Sequence, residues 1–419
     1  MKEEFSFMNE KIKDKPFYKK KWVQVLTAVV GLAVLSAGIS CAVFMKMYQL
    51  MEEKRAQDAI QNIEIPQDSA EESDLPETDT QEQVQTAPET IVVENELTLD
   101  DYGLLFSELR GIAKEVRKSV VTVTALNNDV DWFNEAYESR GQATGMIIGD
   151  NGVELLILTK YSKIKNCDGM QVTFVDDTVV SAALKKYDVT TGLAVIGVNL
   201  SDISEETSGK IEKATLGNSV RLEAGTPVLA IGRADGNEDS LKIGTLTSVN
   251  NHQSVVDAEY TILVTDMVKN EGADGVLVNI KGEVIGIIQE KYLSENRQNV
   301  LSAYGISDIK SLLEHLSNNQ DVTYLGVKGV SVTADAQSSG VPAGVYVTEV
   351  AMDSPAMLGG IQNGDVLQAI NGQKITSMTE LFDVLLRLSS KQNISLEGQR
   401  LTKDGYKKIN YQTALSVLE

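Results

Sequence analysis

From about Leu99 onward the chain is a succession of short runs rich in Val, Ile and Thr, cut by Gly, Asn and Asp. Runs of that kind, bounded by turn formers, specify strands, and many in succession specify an all-β barrel or sandwich. The runs are Val120 to Ala125, Ala143 to Ile148, Leu155 to Thr159, Met170 to Phe174, Leu193 to Val198, Val228 to Ile231, Gly244 to Val249, Ile262 to Thr265, Gly275 to Asn279 and Val284 to Gln289. An amphipathic helix over Leu104 to Arg117 leads into them, and a second covers Asp308 to Ser317.

The segment before Leu99 is of another kind. Trp22 to Met45 carries no charged residue and lies between Lys19-Lys20-Lys21 and Lys46. A helix of that length crosses the roughly 30 Å hydrocarbon layer, so we expect a membrane span over 22–45. The lysine-rich residues 1–21 then stay cytoplasmic and the remainder is extracytoplasmic. A cleaved signal peptide is the rival reading, but the apolar run is long and no small-x-small cleavage site follows it. Lipidation at Cys41 would need an aliphatic residue where Gly38 stands. Residues 46–98, with the acidic stretch Asp68 to Glu82, are expected to be a disordered, solvated tether.

Composition narrows the chemistry. A net charge of −22 argues against nucleic acid or an anionic lipid surface as the main partner. The two cysteines, Cys41 and Cys167, are too few for a disulfide framework or metal cluster, and no cofactor motif is present. The two histidines, His252 and His315, are the whole supply of imidazole for any acid–base scheme.

Thr265 to Asn279, TDMVKNEGADGVLVN, followed by Gly282-Glu-Val-Ile-Gly286, resembles the nucleophile loop, and the strand after it, of the HtrA (DegP/DegS) family of trypsin-fold serine proteases. Gln142 to Gly152, Ile157-Leu-Thr159, Tyr187 to Val195, and Ala214 to Ser219 followed by Val228 to Gly232 resemble further family segments in the same order. The resemblance implies a mainly β fold, a trypsin-like double β-barrel over 99–320. It also implies three degenerate triad positions. Ser162 stands where the family's general-base histidine lies, Gly192 replaces the aspartate that orients it, and Asp274 replaces the serine, or Ala273 if the deletion is placed differently. A hydroxyl at 162 has no useful basicity near neutral pH, Gly192 offers no acceptor, and an anionic Asp274 would repel a developing oxyanion. The family's aromatic regulatory loop corresponds to Asn127 to Gly141, which implies a homo-trimer or a mixed assembly with an active paralogue, or simple capping of the barrel.

Residues 321–419 resemble an HtrA-type α+β PDZ domain through Tyr324-Leu-Gly-Val327, Gly344 to Val350, Ser354-Pro-Ala356, Gly359 to Leu367 and Ala369 to Gly372. The resemblance implies that the backbone N–H groups of Tyr324, Leu325, Gly326 and Val327 take the carboxylate of a C-terminal peptide, which adds as a strand beside Val327 to Val330. The expected function is that of a membrane-anchored pseudoprotease that binds C-terminal peptides or unfolded extracytoplasmic proteins as adaptor, chaperone or regulatory subunit. A working endopeptidase of envelope quality control and a purely structural scaffold are the alternatives.

Overall fold

Strands that are apolar at every position, not at every second one, dominate the architecture. A computed structural model describes residues 46, 60–68, 98–130, 136–289 and 299–418. The expected membrane span over 22–45 and most of the tether lie outside the described residues. Among the described residues no helix is long and apolar enough to cross a membrane. Residues 61–419 form one unit and are described here.

The chain enters through helix α1 (Leu99–Val116), whose first turn is closed by a capping box: the Thr98 hydroxyl accepts from Asp101 N–H, and the Asp101 carboxylate accepts from Thr98 N–H. Strands β1 (Val120–Val130), β2 (Ala136–Asp150), β3 (Glu154–Lys160), β4 (Gly169–Thr173), β5 (Val179–Asp188) and β6 (Leu193–Asn199) close a first barrel in the order β1-β2-β3-β6-β5-β4. A one-turn helix, α2 (Tyr161–Ile164), follows β3. Strands β7 (Pro227–Arg233), β8 (Ser240–Val255), β9 (Ala258–Val268), β10 (Asp274–Val278), β11 (Val284–Gln289) and β12 (Val300–Gly305) close the second, in the order β10-β11-β12-β9-β8-β7. Strand β5 is absent from the strands that the pattern predicts, because only Val180 and Asp188 of its ten residues are fully buried and its sequence lacks an apolar run.

Alternate side chains of the apolar runs go to different cores. In β3 and β6, Leu155, Ile157, Ala194 and Ile196 fill the first barrel, whereas Leu156, Leu158, Leu193 and Val195 face a cluster shared between the barrels. In β7 and β10, Val228, Ala230 and Leu277 fill the second barrel, and Leu229, Ile231, Val276 and Val278 join the same shared cluster. Both faces are dry, so alternation is lost.

Helix α3 (Ile306–Ser317) links the barrels to the C-terminal module and buries Ile309, Leu312, Leu313 and Leu316 in the shared cluster. It also corrects the expectation of a disordered tether over 46–98. Ile63 and Asn318 exchange two hydrogen bonds of 2.8 Å. Ile65 is buried, and Asp68 meets Lys310 at 2.7 Å. Residues 61–68 are therefore part of the folded body.

The C-terminal module is a sheet of β14 (Val327–Ser331), β15 (Val345–Val350), β16 (Asp365–Ile370), β18 (Asn393–Thr402) and β19 (Gly405–Ala414) in that order. Strand β17 (Gln373–Lys374) joins β16, while β13 (Thr323–Tyr324) pairs with β20 (Ser416–Val417). Helix α4 (Met378–Leu386) covers the sheet, with Met378, Leu381 and Leu385 in its core and Phe382 and Leu386 reaching the shared cluster of the barrels.

One buried charge ties this sheet together. Asp365, with no exposed surface, accepts from Arg400 Nε at 2.6 Å and Nη2 at 2.8 Å, from the Tyr411 hydroxyl at 2.9 Å and from Gln362 N–H at 2.7 Å. Burial alone would raise its pKa, but these four donors hold it below the ordinary carboxylate value. A depressed pKa contributes stability that is complete above the unfolded value near 3.9 and is lost as pH falls through the folded one. Asp365→Asn should therefore cost about 3 kcal/mol at neutral pH, and flatten the loss of stability below about pH 4. Denaturant unfolding followed at several pH values checks both.

Candidate functional site

Of the three expected triad positions, Ser162 and Gly192 line one opening and Asp274 another, and the residue common to both is one not singled out from sequence, Lys160. Lys160 closes β3 at its C-terminal end. It lines a small opening of about 90 Å³ together with Ser162 and Gly192, and a second of about 20 Å³ together with Asp274. Both are far below the several hundred Å³ of an ordinary ligand pocket.

Asp274 is 3% exposed and opens β10. Its Oδ1 lies 3.2 Å from Lys160 Nζ and accepts from Gly275 N–H at 2.8 Å, while Oδ2 accepts from Thr144 N–H, in β2 of the other barrel, at 2.8 Å. Lys160 Nζ also donates to Ala273 O at 3.3 Å. Thr144 is held in turn by the Thr159 hydroxyl, which donates to its carbonyl at 3.0 Å, and by Arg233 N–H, which donates to its hydroxyl. The carboxylate is thus a clip between the barrels. Gly275 makes the close approach possible: at φ +131, a Cβ would meet Ile231 O at 2.1 Å.

Ser162 is exposed on α2, and Gly192 sits at φ +72 in a turn where its N–H donates to Asp188 O and its carbonyl accepts from Tyr161 N–H. Asp188 shapes that turn, accepting from Thr191 N–H at 2.7 Å and from its hydroxyl at 2.6 Å. The two openings around Lys160 contain no histidine. His252 is exposed on β8 opposite Thr261, not in a loop, and His315 Nε2 lies 2.8 Å from Asp321 O on α3, its pKa lowered by burial. In the turn before β10, Ala273 N–H donates to Asn270 O at 3.2 Å. Trp132 and Phe133 of the aromatic insertion lie outside the described residues, but the backbone on either side extends the β1–β2 hairpin to the pair Val130 and Ala136.

In the C-terminal module, Tyr324-Leu-Gly-Val327 does form a loop of converging N–H groups, and Gly326 is required in it, with φ +95 and no room for a Cβ beside Ser354. The expectation that these N–H groups are open to a ligand needs correction. Asp257, at the tip of the β8–β9 hairpin, fills the loop. Its Oδ2 accepts from Leu325 N–H at 2.7 Å, both oxygens accept from Gly326 N–H at 2.9 Å, and Oδ1 accepts from Val327 N–H at 2.8 Å. Asp257 N–H donates to Val327 O at 2.6 Å, and the Ser254 hydroxyl donates to Gly329 O at 2.7 Å, so the hairpin also lies along the free edge of β14. Tyr260 packs edge-on against Phe382 of α4, with ring centroids 6.3 Å apart. Burial pushes the Asp257 carboxyl up to about 6 against the pull of the three N–H groups. Burial, and then the charge of Asp257, raise the Tyr324 phenol.

Paired six-stranded barrels followed by this sheet define a peptidase-type body carrying a peptide-recognition module. The sequence agrees: residues 143–287 match the trypsin-like peptidase domain and residues 316–399 the PDZ domain. The chain is a homologue of the HtrA/DegP serine proteases. It is 32% identical over 267 residues to a probable periplasmic serine endoprotease DegP-like of Pseudomonas savastanoi, covering 62% of this chain and 53% of that one. To the serine protease Do-like HtrA of Bacillus subtilis it is 26% identical, over 59% of this chain and 58% of that one. The chain thus spans little more than half the length of these relatives. Among solved structures, the HtrA-type protease AlgW with tripeptide shares the fold with a TM-score of 0.54 at 23% identity, covering 74% of this chain and 97% of that one.

Removing one partner of a buried ion pair takes away a counter-charge that offset the other's desolvation. Asp274→Ala should cost about 3 to 5 kcal/mol, and the double substitution Lys160→Met with Asp274→Val should recover most of it. Denaturant unfolding of the wild type, both single variants and the double variant measures this coupling.

Proposed function

We propose that this chain is a non-proteolytic member of its family, anchored in a membrane through residues 22–45, whose PDZ module binds C-terminal or unfolded peptide segments of extracytoplasmic proteins. The observation that carries the reading is Asp274. By motif order a carboxylate falls where the family's nucleophile would stand, and that carboxylate is paired with Lys160 and accepts from two backbone N–H groups. A hydrolytic site of this type needs a hydroxyl that a neighbouring base deprotonates, together with N–H groups left free for the oxyanion. Ser162 and Gly192 supply neither base nor orienting acceptor. The PDZ module keeps the loop whose N–H groups do bind a carboxylate, since they bind one in this chain. As adaptor or regulatory subunit, the protein would work alone, as a homo-trimer or beside an active paralogue.

The relatives are named as proteases, which favours a working endopeptidase as the second reading. Incubating the purified chain with unfolded casein separates the two. No turnover is expected, either for the wild type or for Asp274→Ser, because a serine restored alone still lacks its base. Hydrolysis that persists through purification and vanishes in Asp274→Ala would overturn the proposal.

A further inference from the structure

We infer that Asp257 is a resident ligand of the PDZ carboxylate loop, a side chain standing in for a peptide's terminal carboxylate, which an incoming chain must displace before it can bind. The inference rests on the peptide-binding reading above and deepens it by adding a closed state.

The geometry reproduces two of the three elements of strand addition at a sheet edge. A bound C-terminal residue places its carboxylate among the loop N–H groups, its own N–H against the first carbonyl of the edge strand, and its side chain between strand and helix. Asp257 supplies the first through its side chain, with oxygens 2.7 to 2.9 Å from the N–H groups of Leu325, Gly326 and Val327. It supplies the second through its 2.6 Å bond to Val327 O. The third element is absent: Tyr260, three residues further on, meets Phe382 of α4 in the cluster shared with the barrels, not in the groove beside β14.

The turn is built to present this carboxylate. Val255 and Ala258 are paired, which leaves Val256 and Asp257 as a two-residue hairpin turn with Asp257 at φ +61. Aspartate and asparagine tolerate that left-handed conformation better than other side chains, and of the two only aspartate offers acceptors at both side-chain termini. A cleft of about 330 Å³ lined by Lys186, Asp257, Tyr324 and Phe382 borders the occupied loop and gives an incoming segment access to it. The Lys186–Asp321 ion pair spans the same cleft.

Two measurements on the full chain test this, using Asp257→Asn, which keeps the turn but replaces one acceptor by a donor, and Asp257→Gly, which keeps the turn and removes the ligand. Hydrogen exchange at the amides of Leu325, Gly326 and Val327 should quicken at least tenfold in both variants, with the amides of β16 and β18 unchanged. A labelled peptide ending in a free valine carboxylate should bind at least tenfold more tightly to the variants than to the wild type, and its C-terminally amidated form should not gain. Unchanged exchange and unchanged affinity in both variants would overturn the inference. Faster exchange with no binding of the free-acid peptide by any form would support Asp257 as the loop's ligand while overturning the reading of the module as a peptide reader.

Discussion

Burial of strands on both faces is the constraint from which the rest of the body follows. A small closed barrel needs apolar side chains only on its inner face, and an outer face of Leu156, Leu158, Leu193 and Val195 would be a liability in water. Each such side chain is worth about 1.5 to 3 kcal/mol when withdrawn from solvent. The first barrel therefore cannot stand without the second, nor the second without α3, whose Ile309, Leu312 and Leu313 complete the shared cluster. Docking Phe382 and Leu386 of the PDZ module into that cluster extends the same logic to the C-terminal sheet.

Polar groups at the margin of such a seam inherit its low dielectric, which fixes what Lys160 and Asp274 can do. An ammonium and a carboxylate that are each nearly buried cannot remain apart, because the desolvation cost of either alone is several kcal/mol. Together, and with the N–H groups of Thr144 and Gly275, they make a locally neutral arrangement linking the ends of β3 and β10 across the barrels. A serine at the same point would take away this counter-charge. Asp274 and the lysine two residues before Ser162 thus belong to one electrostatic solution.

Much of this was legible in the sequence, and the failures have physical causes. The strands LLILT and LAVIGV were readable from composition, and their unbroken apolar character carried the further message that no face is wet. The reading of Ser162, Gly192 and Asp274 as triad places comes from motif order, and Lys160 borders the opening that Ser162 and Gly192 line and the one that Asp274 lines. Lys160 was overlooked because a lysine at the end of an apolar run reads as a solvated strand terminus, although an added cation and an added anion at two positions of the same cleft are a signal in themselves. The acidic composition around residues 61–68 outweighs Ile63 and Ile65, and nothing in the sequence announces that Lys310 and Glu314 on α3 and Asn318 just after it bind Asp68, Ile65 and Ile63. Asp257 gave no warning. An aspartate at a hairpin tip is ordinarily solvated, and its partners lie 68 to 70 residues further along the chain.

Placing the ligand of a recognition loop in the same chain changes the meaning of affinity. A ligand tethered within reach acts at an effective concentration of order millimolar, so a free peptide competes successfully only if its own contacts exceed those of the turn, or if something else loosens the hairpin. The apparent affinity of the module falls by the fraction of time that the loop is empty. Asp257 suits such a competition because its hold is incomplete. The carboxylate has been taken out of water at a cost reflected in its raised pKa, and it brings no residue side chain of its own into the groove between β14 and α4, where a C-terminal valine or leucine would add apolar contact. A true C-terminus therefore has something to gain that the internal mimic lacks. Withdrawing the hairpin would in turn expose Tyr260 and Phe382, whose contact bridges the barrel to the PDZ helix, and so occupancy of the loop is coupled to how the barrel and the module are packed together.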